Sequence, residues 1–394
     1  MHLNCSFRLK FLCAMFYSKS RLPFLLLTIF LTSGFSSLAQ KTHKQVIIGY
    51  VGGFRGNIVN TDSIAANKLS HINYAFVDIK DNRAWLHNEA TDTVNFRKLN
   101  GLKKINPDLK VLISIGGWKW SKHFSDAILT DTSRENFAKS AVGIVSDYNL
   151  DGVDIDWEYP GMFGDSNVYR SEDRKNFTLM FKDLREQLDE LRKRTGKKYF
   201  VTTAIGASRD FLQHTQMEKA QRYLDYINLM SYDLDDTYDN MSAHQSNLYA
   251  PNNMPYIYSA DVAIRNLKKV GVDPSKIVMG ICFYGKGKIV DDTTNHGLYQ
   301  IPVRPAFGGG YTFLKDSLVN KKGYVRYWDN ASKAPFLFNA DMKRFITYDD
   351  EQFVKLKCDY IKKYHLAGAM FWEYFSDRKL YLLNELAKEF GYHP

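Results

Sequence analysis

Residues 151–158 carry the side chains with the clearest chemical potential, reading Asp-Gly-Val-Asp-Ile-Asp-Trp-Glu. Because side chains alternate between the two faces of a strand, Asp154, Asp156 and Glu158 are predicted to point the same way. Carboxylates crowded on one face of a buried strand repel one another and are poorly solvated, so at least one is expected to keep its proton near neutral pH. A carboxyl that keeps its proton can act as a general acid. The segment therefore predicts a site for acid–base chemistry.

Two other interpretations of this segment are a solvated acidic edge and a calcium site. Val153, Ile155 and Trp157 lie between the acids, and such apolar residues disfavour an exposed edge. Calcium usually takes its oxygen ligands from a loop rather than a strand. The catalytic interpretation is therefore preferred to both.

Short apolar, β-branched runs alternate with helical stretches along the chain, which is typical of βαβ units and a parallel sheet. Eight such strands predict an α/β fold, a (β/α)8 TIM barrel, in which active sites form at the carboxyl ends of the strands. An open doubly wound sheet is the runner-up, although no Gly-rich phosphate turn supports it. The predicted strands are 46–50, 71–79, 111–115, 152–157, 199–205, 226–232, 277–284 and 367–372, and the clearest helices are 96–105, 134–148, 174–194, 260–270 and 350–364.

One interval is longer than a barrel loop requires. Roughly sixty residues separate the seventh strand from the helix that begins near Asp350. The interval contains a run of three glycines at 308–310 and strand-like runs at 324–328, 335–338 and 345–348. The sequence therefore predicts a small α+β insertion domain, rich in β-structure, over 286–349 between strand 7 and helix 7.

The N-terminus resembles an export signal. Four basic residues precede an apolar run over 24–31, which is followed by Ser37-Leu38-Ala39. This pattern predicts a signal peptide over 1–39, cleaved after Ala39, and a secreted or periplasmic protein with no stable membrane insertion after cleavage. The apolar run is short for a bilayer span, and an uncleaved anchor is the alternative.

Composition excludes several classes of protein. The content of 45% hydrophobic and 24% charged residues is that of a globular protein. Removing the leader with its four positive charges lowers the net charge from +10 to +6, too little to indicate a nucleic-acid partner. No CxxC, HExxH or GxGxxG motif predicts a metal or a cofactor. Cys282 is expected to be a buried free thiol, a bridge to Cys358 being the alternative, and a monomer is the default.

Four separate motifs resemble those of glycoside hydrolase family 18, the chitinases and their relatives. Residues 151–158 resemble its DxxDxDxE signature, and 114–117 (Ser-Ile-Gly-Gly) resemble its SxGG motif on the third strand. Residues 230–233 (Met-Ser-Tyr-Asp) are similar to its MxYD motif on the sixth strand, and Trp372 to the tryptophan that ends the eighth. The predicted insertion is similar to the chitinase insertion domain. The resemblance covers a catalytic barrel over 46–392.

The resemblance implies a role for each residue of the centre. Glu158 would protonate the glycosidic oxygen and later act as base, while the acetamide oxygen of the substrate itself attacks the sugar and gives an oxazolinium ion. Asp156 would hold the acetamide N–H, and Asp154 would share a proton or hydrogen bond with Asp156. Tyr232 would orient the acetamide oxygen, and Asp233 would be a further sugar contact.

The same resemblance implies substrate contacts around the centre. Trp372 would form the floor under the distorted sugar, although its apolar strand alone would predict an ordinary core tryptophan. Trp118 would line the acceptor side, and Met230 would pack beneath the acetamide pocket. Tyr50 and Phe76 are expected as subsite walls, with core packing as an equal alternative.

The predicted function is a secreted chitinase that hydrolyses β-1,4-linked N-acetylglucosamine polymers with retention. One alternative is a lectin on the same barrel, but such relatives typically lack the acid at the position of Glu158. Another is an endo-N-acetylglucosaminidase acting on N-glycans, but those relatives commonly lack the insertion. Residues 282–286 read Cys-Phe-Tyr-Gly-Lys, where family members often have Pro and Arg, so contacts there are expected to differ.

Overall fold

The computed structural model describes residues 44–237, 241–251, 254 and 258–392. The predicted leader and its cleavage site lie outside these residues. The described strands are β1 (Val46–Gly52), β2 (His71–Lys80), β3 (Arg83–Trp85), β4 (Lys110–Gly116), β5 (Gly152–Asp156), β6 (Phe200–Gly206), β7 (Tyr226–Met230), β8 (Ile277–Cys282), β9 (Tyr284–Val290), β10 (Pro302–Gly310), β11 (Tyr324–Asp329), β12 (Ala334–Asn339), β13 (Arg344–Thr347) and β14 (Gly368–Trp372).

Eight parallel strands close into a barrel. They follow one another in the order β1-β14-β8-β7-β6-β5-β4-β2, and β2 returns to pair with β1. The short β3 adds an antiparallel edge to β2. The predicted (β/α)8 TIM barrel is therefore confirmed.

Alternation along the strands separates two cores. In β1, Val46, Ile48 and Tyr50 belong to a cluster inside the barrel. Ile47 and Val51 belong to the larger cluster between the strands and the helices. Parallel strands buried on both faces are apolar in both positions, which explains why the predicted runs were nearly continuous.

The helices cover the outside of the barrel. They are α1 (Glu89–Gly101), α2 (Phe124–Ala127), α3 (Asp131–Asp147), α4 (Asp173–Thr195), α5 (Arg209–Gln213), α6 (Met217–Ala220), α7 (Ala260–Lys269), α8 (Tyr311–Ser317), α9 (Glu351–Lys363) and α10 (Tyr381–Glu389), with short 3₁₀ turns between some elements. Helix α4 stops at Gly196, whose φ is +71°, as expected of a glycine that ends a helix. Helix α1 begins earlier than predicted, because its buried apolar residues, Phe96 and Leu99, both lie in its second half.

A second sheet forms the insertion between β8 and α9. Its antiparallel strands lie in the order β10-β9-β13-β12-β11, and α8 connects β10 to β11. The three strand-like runs predicted here correspond to β11, β12 and β13. The sequence did not predict β9 and β10, because glycines and prolines interrupt them and β10 is an edge strand with two register shifts.

A buried ion pair connects the end of the insertion to α9. Lys357 Nζ lies 2.6 Å from Asp349 Oδ2, and both side chains are fully buried. The hydroxyl of Ser246 donates to the other oxygen of Asp349. Both ends of the pair therefore have partners, which a buried charge requires.

Replacing Lys357 by methionine is expected to lower the free energy of unfolding by about 3–5 kcal/mol, because Asp349 would stay buried without its counter-charge. Urea denaturation measures the change. Lys355→Met on the same helix is the control, since Lys355 is an exposed partner of Asp359 and its loss should change stability little. Equal effects of the two substitutions would contradict this interpretation.

Two further expectations concern cysteines and membranes. Cys282 and Cys358 are both buried and unbridged, so the predicted free thiol is confirmed. Among the residues that the structure describes, no helix is both long enough and apolar enough to cross a bilayer.

Candidate active site

A cavity of about 1080 Å³ opens at the carboxyl ends of the barrel strands. Its walls include eight of the ten residues predicted to act on or bind a substrate. These eight are Phe76, Trp118, Asp156, Glu158, Met230, Tyr232, Asp233 and Trp372. Asp154 and Tyr50 lie beneath the cavity rather than in its wall, at 0% and 2% exposure.

Asp154 is held by four donors inside the barrel. The hydroxyls of Tyr50 and Ser114 lie 2.9 and 2.7 Å from its Oδ2, the hydroxyl of Thr202 donates to its Oδ1, and Asn228 Nδ2 lies 3.1 Å from the same oxygen. Within the described residues no hydrogen bond joins Asp154 to Asp156. Donors from β1, β4, β6 and β7 therefore hold Asp154 in place, and its sharing of a proton with Asp156 stays a prediction.

Asp156 and Glu158 lie above Asp154 in a poorly solvated position. Oδ1 of Asp156 is buried and has no hydrogen-bond partner among the described residues. Burial raises the pKa of Asp156 well above its usual range, and the charges of Glu158 and Asp154 add to the shift. Burial also raises the pKa of Glu158 to about 7, a hydrogen bond from Tyr159 opposes the shift, and the charge of Asp233 supports it. Glu158 can therefore carry a proton near neutral pH.

The pKa of Glu158 predicts a pH limit to activity. If its protonated form is the active acid, kcat/KM should fall as pH rises through about 7. Asp233→Asn removes a negative charge that raises this pKa, so the fall should begin at lower pH. Initial rates between pH 4 and 9 measure both profiles. An unmoved basic limb in the variant would contradict the assigned charge effect.

Two glycines make room for the acids. Gly116 has φ +107°, and a Cβ there would lie 2.2 Å from the carbonyl oxygen of Asp156. Gly117 has φ +79°, and a Cβ there would lie 2.5 Å from the ring of Phe76. The Ser-Ile-Gly-Gly motif thus allows β4 to approach β5 and the aromatic wall closely. Ser121, which follows the motif, accepts the backbone N–H of Glu158 at 2.9 Å.

Aromatic rings form one side of the cavity. The indole of Trp372 stacks on Phe76 with centroids 5.5 Å apart and on Phe54 at 6.1 Å. Tyr50 meets the same indole at a tilt, 5.9 Å away. Such flat apolar surfaces suit the apolar faces of sugar rings.

The other side of the cavity is more exposed. Trp118 is 48% and Phe163 is 75% exposed, although both line the cavity. Tyr159 lies edge-on to Trp118 with centroids 6.4 Å apart. These open aromatic surfaces lie next to Glu158, on the side where a leaving sugar could bind.

Polar contacts from the insertion reach the site. Asp233 accepts a hydrogen bond from the Tyr284 hydroxyl at 2.6 Å, and Lys286 Nζ lies 2.8 Å from the same carboxylate. Lys286 also lies 3.4 Å from Asp235. The segment where the sequence departs from the family pattern therefore still supplies a cation to this wall.

Met230, the last residue of β7, and Tyr232 also line the cavity. The Tyr232 hydroxyl donates to the sulfur of Met370 at 3.7 Å, a long contact that a substrate oxygen could replace. Burial raises the pKa of Tyr232 well above its usual range, and the charge of Asp156 adds to the shift. The hydroxyl therefore keeps its proton and can donate it in a hydrogen bond.

Sequence reasoning missed several wall residues. The cavity is also lined by Phe54, Tyr159, Phe163 and Lys286. None of these residues lies within one of the four motifs. Tyr159 directly follows Glu158 and Lys286 follows the seventh strand, so position after a strand end was the available signal. Phe54, two residues beyond the end of β1, gave the same signal.

Over residues 46–377 the sequence matches the family described as Glycosyl hydrolases family 18. This chain belongs to that family. The resemblance predicted from the four motifs is thereby confirmed, and the chain is a glycoside hydrolase by family.

Named relatives and solved structures agree with this family assignment. Chitinase A1 of Niallia circulans is 37% identical over 413 aligned residues, which cover 88% of this chain and 59% of that protein, so this chain spans less than two thirds of that relative. A family 18 N-acetylglucosaminidase from Paenibacillus barengoltzii superposes with TM-score 0.81 at 38% identity, covering 88% of this chain and 99% of that one. A chitinase from Bacillus thuringiensis superposes with TM-score 0.82 at 33% identity, over 89% and 70% of the two chains.

Proposed function

We propose that this protein hydrolyses β-1,4-linked N-acetylglucosamine chains with retention, using Glu158 as acid and then base. One observation carries the proposal. Glu158 has a pKa near neutrality and lies in a cavity beside Asp156, whose buried oxygen lacks a partner among the described residues. A proton donor and an unsatisfied acceptor are the two groups that a participating acetamide requires.

Each residue of the site has a separate task in this reaction. Glu158 gives its proton to the glycosidic oxygen as the bond to the anomeric carbon breaks, and the acetamide oxygen of the same sugar forms the new bond. Asp156 accepts the acetamide N–H and stabilises the positive charge that develops there. Tyr232 donates to the acetamide oxygen and orients it. Water then attacks the anomeric carbon as its bond to the acetamide oxygen breaks, and gives a proton to Glu158.

A lectin on the same barrel is the less favoured reading. Burial raises the pKa of Glu158 to about 7 inside the cavity, which suits proton transfer more than sugar binding alone. An endo-N-acetylglucosaminidase for N-glycans is also less favoured, since this chain has a five-stranded insertion sheet and such relatives commonly lack the insertion.

A second candidate is the release of single N-acetylglucosamine units from chain ends. The Paenibacillus barengoltzii relative is named an N-acetylglucosaminidase, and this chain covers 99% of its length. The chemistry at Glu158 would be the same in both cases, and only the number of sugars held on each side would differ.

We further propose that the protein is exported and acts on chitin or its oligosaccharides as a monomer. The leader pattern over 1–39 supports export.

Incubating the full chain with chitin hexamer, colloidal chitin and a high-mannose N-glycan tests these functions together. Internal cleavage of the hexamer into dimers, trimers and tetramers supports a chitinase, whereas early release of monomer alone supports the second candidate. Cleavage of the glycan alone, or binding of the hexamer without any turnover, would overturn the proposal.

A further inference from the structure

We propose that the end of the barrel opposite the cavity docks peripherally on an anionic lipid bilayer, so that the mouth of the cavity faces away from the membrane. The inference goes beyond the proposed function and does not depend on it. It rests on the distribution of charge, on two exposed apolar residues and on the place where the chain enters the barrel.

Much of the positive charge of the protein lies where the barrel strands begin. All eight parallel strands begin at one end of the barrel, and the cavity opens at the other. Six segments that lead from a helix into a strand form a surface at this end that we call the base. These segments are 102–110, 147–151, 192–199, 219–225, 268–276 and 362–367. The base contains fifteen lysines and arginines, five aspartates and no glutamate.

The charge of the base differs in sign from that of the rest of the protein. The base carries ten more positive than negative charges, whereas the whole chain after residue 39 carries six more. The remainder of that chain is therefore net negative by four charges. A surface that is this much more positive than its surroundings is expected to attract an anionic partner.

Ion pairs join four segments of the base into one surface. Lys103 Nζ and Lys197 Nζ lie 2.6 and 2.9 Å from the two oxygens of Asp151, which connects the segments before β4, β5 and β6. Lys198 Nζ lies 3.4 Å from Asp225, which connects the segments before β6 and β7. These pairs use two of the five aspartates, so the cations around them face solvent in excess.

The remaining two segments continue the same surface. Gln221 Nε2 donates to the carbonyl oxygen of Gly271 at 2.7 Å, which connects the segments before β7 and β8. Lys268 Nζ and Lys363 Nζ lie 5.8 and 5.2 Å from the centre of the Tyr364 ring, which connects the segments before β8 and β14. The base is therefore continuous across six neighbouring strands.

Many cations of the base are available to a partner. Those that are exposed and have no acidic partner among the described residues are Lys104, Arg192, Arg194, Lys219, Arg222, Lys268, Lys269 and Lys363. Each lysine or arginine that lies close to an anionic bilayer strengthens binding by about fivefold. Several of them acting together are enough for peripheral binding.

Two exposed apolar residues favour a bilayer over a soluble polyanion. Ile105 follows two lysines and is 64% exposed, and Val270 follows two lysines and is 38% exposed. They lie before β4 and β8, which are on opposite sides of the barrel. Proteins that bind at a membrane surface place apolar side chains at the boundary of headgroups and acyl chains and cations among the headgroups. A soluble polyanion would offer the apolar pair no such boundary.

The chain also enters the barrel at the base. Lys44, the first described residue, is exposed and lies just before β1, which begins at the same end as the other strands. Residues 1–43 therefore join the barrel at this end. They include four basic residues and the apolar run over 24–31. A segment with the pattern of an export signal is thus attached to the same end of the protein as the basic surface.

Binding of the exported chain to lipid vesicles tests the proposal. The probes are vesicles of phosphatidylcholine with about one third phosphatidylglycerol and vesicles of phosphatidylcholine alone, in about 0.1 M NaCl. The unsubstituted chain should sediment with the anionic vesicles only, and added salt should release it. Reversing four unpaired cations of the base should weaken this binding by more than about 100-fold. The substitutions are Lys104→Glu, Arg192→Glu, Lys268→Glu and Lys269→Glu.

A matched control reverses the same number and types of charge elsewhere. It combines Lys139→Glu, Lys175→Glu, Arg304→Glu and Lys322→Glu, at exposed positions outside the base. Binding to anionic vesicles should fall less than tenfold in this variant. Thermal unfolding of both variants shows that each is folded. Equal binding by the two variants would overturn the proposal.

A second pair of variants separates a bilayer from a soluble polyanion. Ile105→Asn combined with Val270→Asn should weaken binding to anionic vesicles by at least about tenfold and leave binding to dextran sulfate unchanged. Ile301→Asn combined with Val303→Asn is the control, since both residues are more exposed than the pair they match and lie outside the base.

Other results would contradict a membrane-docking base. Equal binding of the unsubstituted chain to neutral and anionic vesicles would overturn the proposal. Tighter binding to dextran sulfate than to vesicles, with no effect of the apolar pair, would show that the base recognises a soluble polyanion and would also overturn it. Failure of the chain to cleave chitin hexamer would end the proposed function and leave these binding results unchanged.

Discussion

Glu158→Gln is expected to lower kcat on chitin hexamer by about 10²–10⁴-fold, the range that general acid–base catalysis supplies. Glutamine keeps the shape of the side chain and can still donate a hydrogen bond, but it cannot transfer a proton to the leaving oxygen. Binding should change little, because the aromatic wall formed by Phe54, Phe76 and Trp372 is untouched. Initial rates together with calorimetric binding of the hexamer measure the two effects separately.

Glu135→Gln provides the matched control for this substitution. Glu135 lies on the exposed face of α3, far along the chain from any motif, and its loss should leave kcat unchanged. If Glu158→Gln turned over the hexamer as fast as Glu135→Gln, Glu158 would not be the acid of the reaction.

Asp156→Asn is expected to have two opposite effects. Activity should fall by about 10²–10³-fold, the scale on which a group that stabilises developing charge acts, because asparagine cannot ionise as positive charge develops on the acetamide. Stability near pH 7 should rise. The raised pKa of Asp156 means that the unfolded chain loses this proton at lower pH than the folded chain does, so Asp156 lowers the free energy of unfolding as pH rises above the ordinary carboxyl range.

Thermal unfolding at two pH values checks the second effect. At pH 7 the melting temperature of Asp156→Asn should exceed that of the unsubstituted chain, and at pH 3, where the carboxyl is protonated in both states, the difference should shrink. If the variant were instead less stable at pH 7, Asp156 would stabilise the fold, and the cost assigned to burying its carboxyl would be wrong.

The barrel strands, the catalytic acids and the position of the insertion could be predicted, because local stretches of sequence encode them. The alternation of acids with Val153, Ile155 and Trp157 placed Asp154 and Asp156 inside the barrel, because neighbouring side chains on a strand must face opposite ways. The seven other apolar runs gave the remaining barrel strands, because parallel strands buried on both faces are apolar at nearly every position. The insertion was located from its length, although Gly and Pro hid β9 and β10.

The site contacts that the sequence did not predict depend on how strands far apart in the chain align with one another. Tyr50 meets Asp154 across 104 residues and Thr202 meets it across 48, so no local pattern could show that Tyr50 lies below the cavity or that Thr202 belongs to the site. Lys286 and Asp233 are likewise brought together only by the pairing of the insertion with the barrel mouth. These contacts follow from the closed fold and not from composition or spacing.

The configuration of the first product tests the participation of the acetamide most directly. When chitin hexamer is cleaved inside a ¹H NMR tube, the new reducing ends should appear first as the β-anomer and convert slowly to the equilibrium mixture, because two displacements at the anomeric carbon restore its configuration. Initial appearance of the α-anomer would mean a single displacement by water, and the assignment of Glu158, Asp156 and Tyr232 to an acetamide-assisted reaction would then be wrong.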